Sequence, residues 1–156
     1  MIGLIVLLTA PTNVLRTLED IAETGENPRD LNWFSAYWPQ ADMKATAWIR
    51  THTAPDAAFF CTPLSGRYIA ATAGRAVYAG HWGETPRFRE RIGATVDFFS
   101  QPQSPDERLL QLHTSATNYV YQGTTEHRAG AVDLSGDPGL QKVYDADGVA
   151  IYRVKA

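Results

Sequence analysis

The alternation of apolar and polar positions becomes regular at Ala41 and stays so to the end of the chain. Asp42 is placed to cap a helix running through His52, with Met43, Ala47 and Trp48 on its buried side. Pro55-Asp56 turns the chain into residues 57–62, AAFFCT, a short apolar run of strand character. Ser65-Gly66 opens an Ala-rich helix over 67–73, and Gly74 stands where a helix C-terminal glycine belongs. Residues 76–80, AVYAG, read as a second buried strand running into the loop 81–85, HWGET. Thr85 is then expected to cap a helix with Pro86 at its first position, and Phe88, Ile92, Val96 and Phe99 follow as a core-facing stripe. Ser104-Pro105-Asp106-Glu107 is a capping-box sequence for a helix reaching about His113. Residues 118–122, NYVYQ, form a third strand. After a loop rich in Gly, Asp and Ser, segments 140–144 and 149–154 make a hairpin around Asp145-Ala146-Asp147-Gly148.

Strands alternating with helices predict βαβ units with right-handed crossovers. The expected fold is therefore α/β: a three-layer, Rossmann-like mixed sheet, mainly parallel, closed by a C-terminal antiparallel hairpin. Residues 41–156 make one domain on this reading. A local V-Y-x-G echo at Val77–Gly80 and Val120–Gly123 is too short to establish a duplication.

The first forty residues break the pattern. Residues 1–10, MIGLIVLLTA, are almost wholly apolar, and the first charge is Arg16, after them. A spanning helix needs about 20 apolar residues, and a signal peptide carries its positive charge before the apolar run. Two readings stand: a buried element of the domain, or the trailing end of a transmembrane helix over 1–15. The second is preferred, with 16–40 as a linker and helical lead-in; a short helix is expected over 14–24. Trp33, Phe34, Tyr37 and Trp38 fit either core packing or an aromatic belt at a membrane interface.

Composition narrows the function classes. With 14 Lys and Arg against 17 Asp and Glu the formal charge is −3, and no basic cluster stands out, so nucleic-acid binding is disfavoured. The single Cys61 excludes an internal disulfide and a multi-cysteine metal site, without deciding the compartment.

In open parallel sheets ligands bind beyond the carboxyl ends of the strands. That rule gathers the loops 62–67, 81–85 and 124–127, and with them Arg67, His81, Trp82, Glu84, Thr85, Glu126 and His127. His81 and Glu84 have the chemistry of an acid–base pair; a loop histidine bonding a backbone carbonyl is the commoner outcome. Trp82 offers a flat apolar face that suits a sugar, or it simply covers core. The helix expected after Thr85 offers free N–H groups to an anion. No spacing supports a metal centre, a serine-hydrolase elbow, a dinucleotide fingerprint or a phosphate loop. No catalytic residue, metal or cofactor is therefore assigned. His52 and His113 are placed near helix C-termini, where the dipole accounts for them.

The run Gly74-Arg75-Ala76-Val77-Tyr78-Ala79-Gly80-His81-Trp82-Gly83-Glu84-Thr85, with 88–99 after it, resembles a segment of large bacterial polytopic membrane proteins. These are of the GT-C glycosyltransferase type, relatives of the dolichyl-phosphate-mannose protein mannosyltransferases. Ala47-Trp48-Ile49, residues 60–63, Tyr119–Gly123 and Ile151–Val154 match further stretches of the same soluble C-terminal domain. The resemblance implies a non-catalytic extracytoplasmic domain following a last transmembrane helix, since the catalytic acidic residue of such enzymes lies in an early loop that has no counterpart here. It also implies contact with the transmembrane body, a glycan acceptor or a polyprenyl-phosphate sugar. A free-standing, cytoplasmic α/β enzyme or small-ligand protein using the strand-edge loops is the competing reading.

Overall fold

The computed structural model describes residues 38–130 and 132–155. The expectations for residues 1–15, the helix over 14–24 and Trp33, Phe34 and Tyr37 lie outside the described residues. Trp38 is described, and its indole stacks on Tyr68 with ring centroids 4.1 Å apart.

The elements follow in the order α1 (Gln40–His52), β1 (Ala58–Phe60), α2 (Pro63–Ala73), β2 (Ala76–Val77), α3 (Phe88–Ser100), α4 (Pro105–Thr114), β3 (Tyr119–Gln122), α5 (Thr124–Ala129), β4 (Leu140–Ala146) and β5 (Val149–Val154). The five strands form one sheet in the order β2-β1-β3-β5-β4. Successive side chains of a strand point to opposite faces, and the two cores show it. Phe59, Cys61, Tyr119, Tyr121 and Ile151 join Ala45 and Ile49 of α1 and Ile69 of α2 on one side. Phe60, Val120 and Tyr152 join Phe98 and Phe99 of α3 and Leu112 of α4 on the other. All four residues of β3 are buried because helices cover both faces of this central strand.

The mainly parallel sheet expected from the sequence is not the one that forms. Parallel pairing is confined to Ala58 and Phe59 against Ala76 and Val77, and Phe59 and Phe60 against Tyr119 and Val120. Every residue of β3 pairs antiparallel with β5, from Tyr119–Arg153 to Gln122–Ala150. The hairpin then pairs from Leu140–Val154 to Ala146–Val149, with an irregularity between Lys142 and Tyr144. The sheet is mixed and mostly antiparallel, because the hairpin strands are the long ones. The expected strand 76–80 stops at Val77 as a ladder element, beyond which only the Tyr78 amide reaches the Phe59 carbonyl, at 2.9 Å.

Helix boundaries show where local signals sufficed. Gly74 ends α2 in the left-handed conformation at φ 65, where a side chain would be strained. Ser104 and Glu107 form the full reciprocal capping box at α4. Thr85 does not cap α3: Arg87 holds the cap position, and the Thr85 hydroxyl accepts the Gly80 amide instead. On α1 the buried face is Asp42, Ala45, Thr46 and Ile49, whereas Met43 is 51% exposed. Ala41, Met43, Ala45, Ala47, Trp48 and Ile49 surround that helix, so periodicity left its inner face open to choice. On α3 the fully buried residues are Thr95, Phe98 and Phe99, and Phe88, Ile92 and Val96 are half-buried.

Arg75, between α2 and β2, fastens the opposite edge of the sheet. Its guanidinium donates to the Thr53 hydroxyl and to the carbonyls of Arg50, Thr53 and Ala73, taking up backbone acceptors at the ends of α1 and α2.

Candidate functional site

Strands β1, β2 and β3 run parallel, so their carboxyl ends share one edge, as expected for the loops after them. The β4–β5 turn joins that edge, since β5 begins beside the end of β3. β1 and β3 are neighbours, and the chain leaves them for different sides: α2 packs on the first core, while Ala129 of α5 packs against the second. This divergence is the switch point where open α/β sheets offer a ligand crevice.

The crevice is filled by Glu126, which is 0% exposed. One carboxylate oxygen, Oε1, accepts the Thr62 amide and the Thr62 hydroxyl, each at 2.8 Å. The other, Oε2, accepts the Gly123 amide and the Ser65 hydroxyl, each at 3.0 Å, and the Thr125 hydroxyl at 3.2 Å. Thr62 stands at the N-cap of α2 and Gly123 at the N-cap of α5. The N–H and O–H groups that would hold a foreign anion here are thus engaged by the chain's own carboxylate. Burial pushes the Glu126 carboxyl above its ordinary range, against the pull of the Thr62, Gly123 and Ser65 hydrogen bonds.

A second buried carboxylate lies alongside. Asp42, in the first turn of α1, accepts the Tyr121 hydroxyl at 2.7 Å on Oδ1, and the Thr124 hydroxyl at 2.6 Å on Oδ2. The Thr124 amide also reaches Oδ1, at 3.3 Å, so Asp42 serves the start of α5 rather than its own helix. Burial raises the Tyr121 hydroxyl far above its ordinary value, and the neighbouring Asp42 charge adds to it. Burial likewise raises the Cys61 thiol well above its usual range, which keeps it un-ionised and unreactive. Asp42, Thr62, Ser65, Tyr121 and Thr125 were not candidates from the sequence. Glu126 stands three residues after Gly123, the spacing of a helix N3 glutamate, and that was the available local signal for α5.

Between β1 and β2 the edge closes through backbone contact. A Cβ on Gly66 would collide with the Ala79 carbonyl oxygen, which cannot swing away as a side chain could. Gly66→Ala is expected to destabilise the domain by about 2 kcal/mol, read as a lower midpoint in urea unfolding. An unchanged midpoint would show that the 79–80 backbone yields freely.

The remaining candidates fall outside this lock. The turn 81–85 is held by its own backbone, with the Glu84 and Thr85 amides donating to the His81 carbonyl and the Gly83 amide to His81 Nδ1. Trp82 projects from it 66% exposed, beside the His81 ring at 5.4 Å between centroids. Glu84 meets His81 through its amide; its side chain is exposed, and the acid–base geometry is not assembled. Arg67 is half-buried on α2, directly after Gly66. His127 turns away to bond the Gly148 carbonyl through Nε2 at 3.0 Å, tying α5 to the hairpin turn. Among the described residues no three His, Cys, Asp or Glu side chains gather as a metal site, and no helix is long and apolar enough to cross a membrane.

No family model matches the chain, and no curated protein matches it. Among solved structures it is similar to the crystal structure of the C-terminal globular domain of oligosaccharyltransferase from Archaeoglobus fulgidus. The match has a TM-score of 0.58 at 14% identity and covers 76% of this chain and 100% of that one. At that identity the likeness is one of fold.

Proposed function

We propose that this chain contributes a non-catalytic recognition domain to a membrane glycosyltransferase-like protein of the GT-C type, on the extracytoplasmic face, and that the turn 81–85 is its contact surface. The fold shared with the globular domain of an oligosaccharyltransferase, over that domain's whole length, carries the reading. The run 74–85 adds its resemblance to bacterial relatives of the dolichyl-phosphate-mannose protein mannosyltransferases.

The contact is assigned to Trp82, with His81, Glu84 and Thr85 on the same turn and Arg67 at its margin. An exposed indole on a pre-ordered turn loses little conformational freedom on binding and offers a face to a sugar ring or an acyl chain. Glu126 is left to the internal lock. The partner is a polyprenyl-phosphate sugar, a glycan acceptor or the membrane body of the parent protein.

Calorimetric titration of the chain with a polyprenyl-phosphate hexose in detergent micelles tests the first of these, with lipid-free micelles as the blank. Saturable binding is expected, weakened about tenfold by Trp82→Ala with unchanged thermal stability. No saturable heat, together with full transferase activity of the parent protein carrying His81→Ala and Trp82→Ala, would reject the contact surface.

A further inference from the structure

We propose that an open groove at the opposite edge of the sheet is a binding site for a small oxyanion, the phosphate or carboxylate group of a polar ligand. The groove, of about 450 Å3, is bounded by the approach to β1 (Asp56), the end of α4 (His113), the start of β3 (Asn118, Tyr119) and the end of β5 (Arg153, Lys155). It lies at the amino ends of the parallel strands, away from the turn 81–85, and is independent of the function proposed above.

Charge is the first argument. The chain as a whole carries −3, yet the residues lining this concavity include two basic ones, Arg153 and Lys155, with His113 beside them, against one acidic residue, Asp56. The ion pairs among the described residues are Lys44–Asp147, Arg87–Glu90, Arg108–Asp137 and Lys142–Asp145, and none includes Arg153, Lys155 or Asp56.

Donor inventory is the second. Arg153 spends one Nη2 contact, at 3.4 Å, on the Tyr119 hydroxyl, and its guanidinium carbon lies 5.8 Å from the centroid of that ring. Tyr119 is itself fixed by stacking on Phe59 at 5.0 Å, so the guanidinium rests on a rigid platform with other N–H groups to offer. Asn118 accepts the Ala58 amide through Oδ1 at 2.9 Å, which orients its side chain and leaves the amide NH2 as a donor. Lys155 donates to the Pro138 carbonyl at 2.7 Å and retains two further N–H groups. His113 Nε2 lies 3.1 Å from the Lys155 carbonyl, fastening α4 to the end of β5.

His113 stands in the last turn of α4, but helix ends do not account for Arg153 and Lys155. Negative helix C-termini collect at the amino edge of parallel strands, and Arg75 meets those of α1 and α2 by bonding their carbonyls. Arg153 and Lys155 come from β5 and the residue after it, and they bond a tyrosine hydroxyl and a loop carbonyl. A guanidinium braced on an aromatic ring beside an oriented carboxamide is the donor pattern that takes an oxyanion through charge-assisted hydrogen bonds.

The test is amide chemical-shift titration of the full 156-residue chain at fixed ionic strength, with inorganic phosphate in one arm, acetate in a second and chloride in a third. Saturable shifts at Asn118, Tyr119, Arg153 and Lys155 are expected in the phosphate or acetate arm and not with chloride. Whichever arm saturates identifies the group. Arg153→Gln is expected to weaken that binding about tenfold, and Lys155→Gln to weaken it less, both leaving the thermal transition in place because the side chains are exposed. Shifts that fail to saturate in both arms, or that chloride reproduces, or that persist undiminished in Arg153→Gln, overturn the assignment.

Discussion

Glu126→Gln is expected to lower the stability of the domain by about 3 kcal/mol, although it removes only a charge and keeps the shape. Both carboxylate oxygens receive a backbone N–H, Oε1 from Thr62 and Oε2 from Gly123. A glutamine has one oxygen, so its NH2 must face one of those amides in either orientation. Two donors then confront each other in a buried site, and the backbone N–H has no other acceptor to turn to. The Thr62, Ser65 and Thr125 hydroxyls can rotate to accept, which is why the loss is not larger. Chemical denaturation of the two proteins measures the difference. A change below about 1 kcal/mol would mean that neither amide depends on the carboxylate.

The same residue gives the domain a pH dependence of defined sign. A protonated Glu126 can donate from Oε2 to Ser65 or Thr125 and still accept from Gly123, so the neutral acid is tolerated where the amide is not. Burial holds the folded-state pKa above the ordinary value of 4.5. Between those two values the folded chain keeps a proton that the unfolded chain has lost, and stability falls as pH rises. The contribution is fully present below the ordinary value and gone above the raised one. Glu107 and Asp133, whose carboxyls are lowered by the Ser104 and Ser135 hydrogen bonds, act in the opposite sense from the surface. Subtracting the Glu126→Gln pH profile from that of the unaltered chain removes them. A flat difference across the acid range would show that Glu126 titrates normally.

The second large effect is expected at Arg108. Its guanidinium pairs with the Asp137 carboxylate at 2.7 Å, the two side chains being only 7% and 2% exposed. Asp137 also accepts the Gly139 amide at 2.9 Å, and Arg108 lies against the Phe98 ring. The pair therefore clips the loop before β4 to α4 and α3. Arg108→Met preserves most of the apolar stem but leaves a buried carboxylate without its counter-charge, at a cost of about 3–5 kcal/mol. Adding Asp137→Asn removes that charge while keeping the oxygen that meets Gly139, and is expected to recover much of the loss. Thermal unfolding of the two single variants and the double variant decides it, because a purely steric role for Arg108 predicts additive losses.

The two buried clusters mark where sequence reasoning stopped. Neither Asp42–Tyr121–Thr124 nor Thr62–Ser65–Glu126 has a sequence spacing that announces it, since the partners lie 79 and 64 positions apart in their principal bonds. Glu126 and Asp42 are ordinary surface residue types, and only packing at the junction of α1, α2 and α5 turns them into interior anchors. Trp82 was legible as a candidate from its place after a short strand. Its 66% exposure, which leaves the indole outside the core, required the structure.

The sequence by itself determined the local elements whose signals are short-range: the capping box at Ser104, the Gly74 stop, the C-terminal hairpin and the helices that alternate with β1, β2 and β3. These rest on contacts within four residues, which composition and spacing encode directly. Tertiary structure decided the rest. It set the balance of parallel and antiparallel pairing, because ladder length depends on how far each strand stays beside its neighbour. It chose the inner face of α1 among several apolar options. It also filled the junction between the loops 62–67 and 124–127, since the Glu126 carboxylate met the Thr62 and Gly123 amides there.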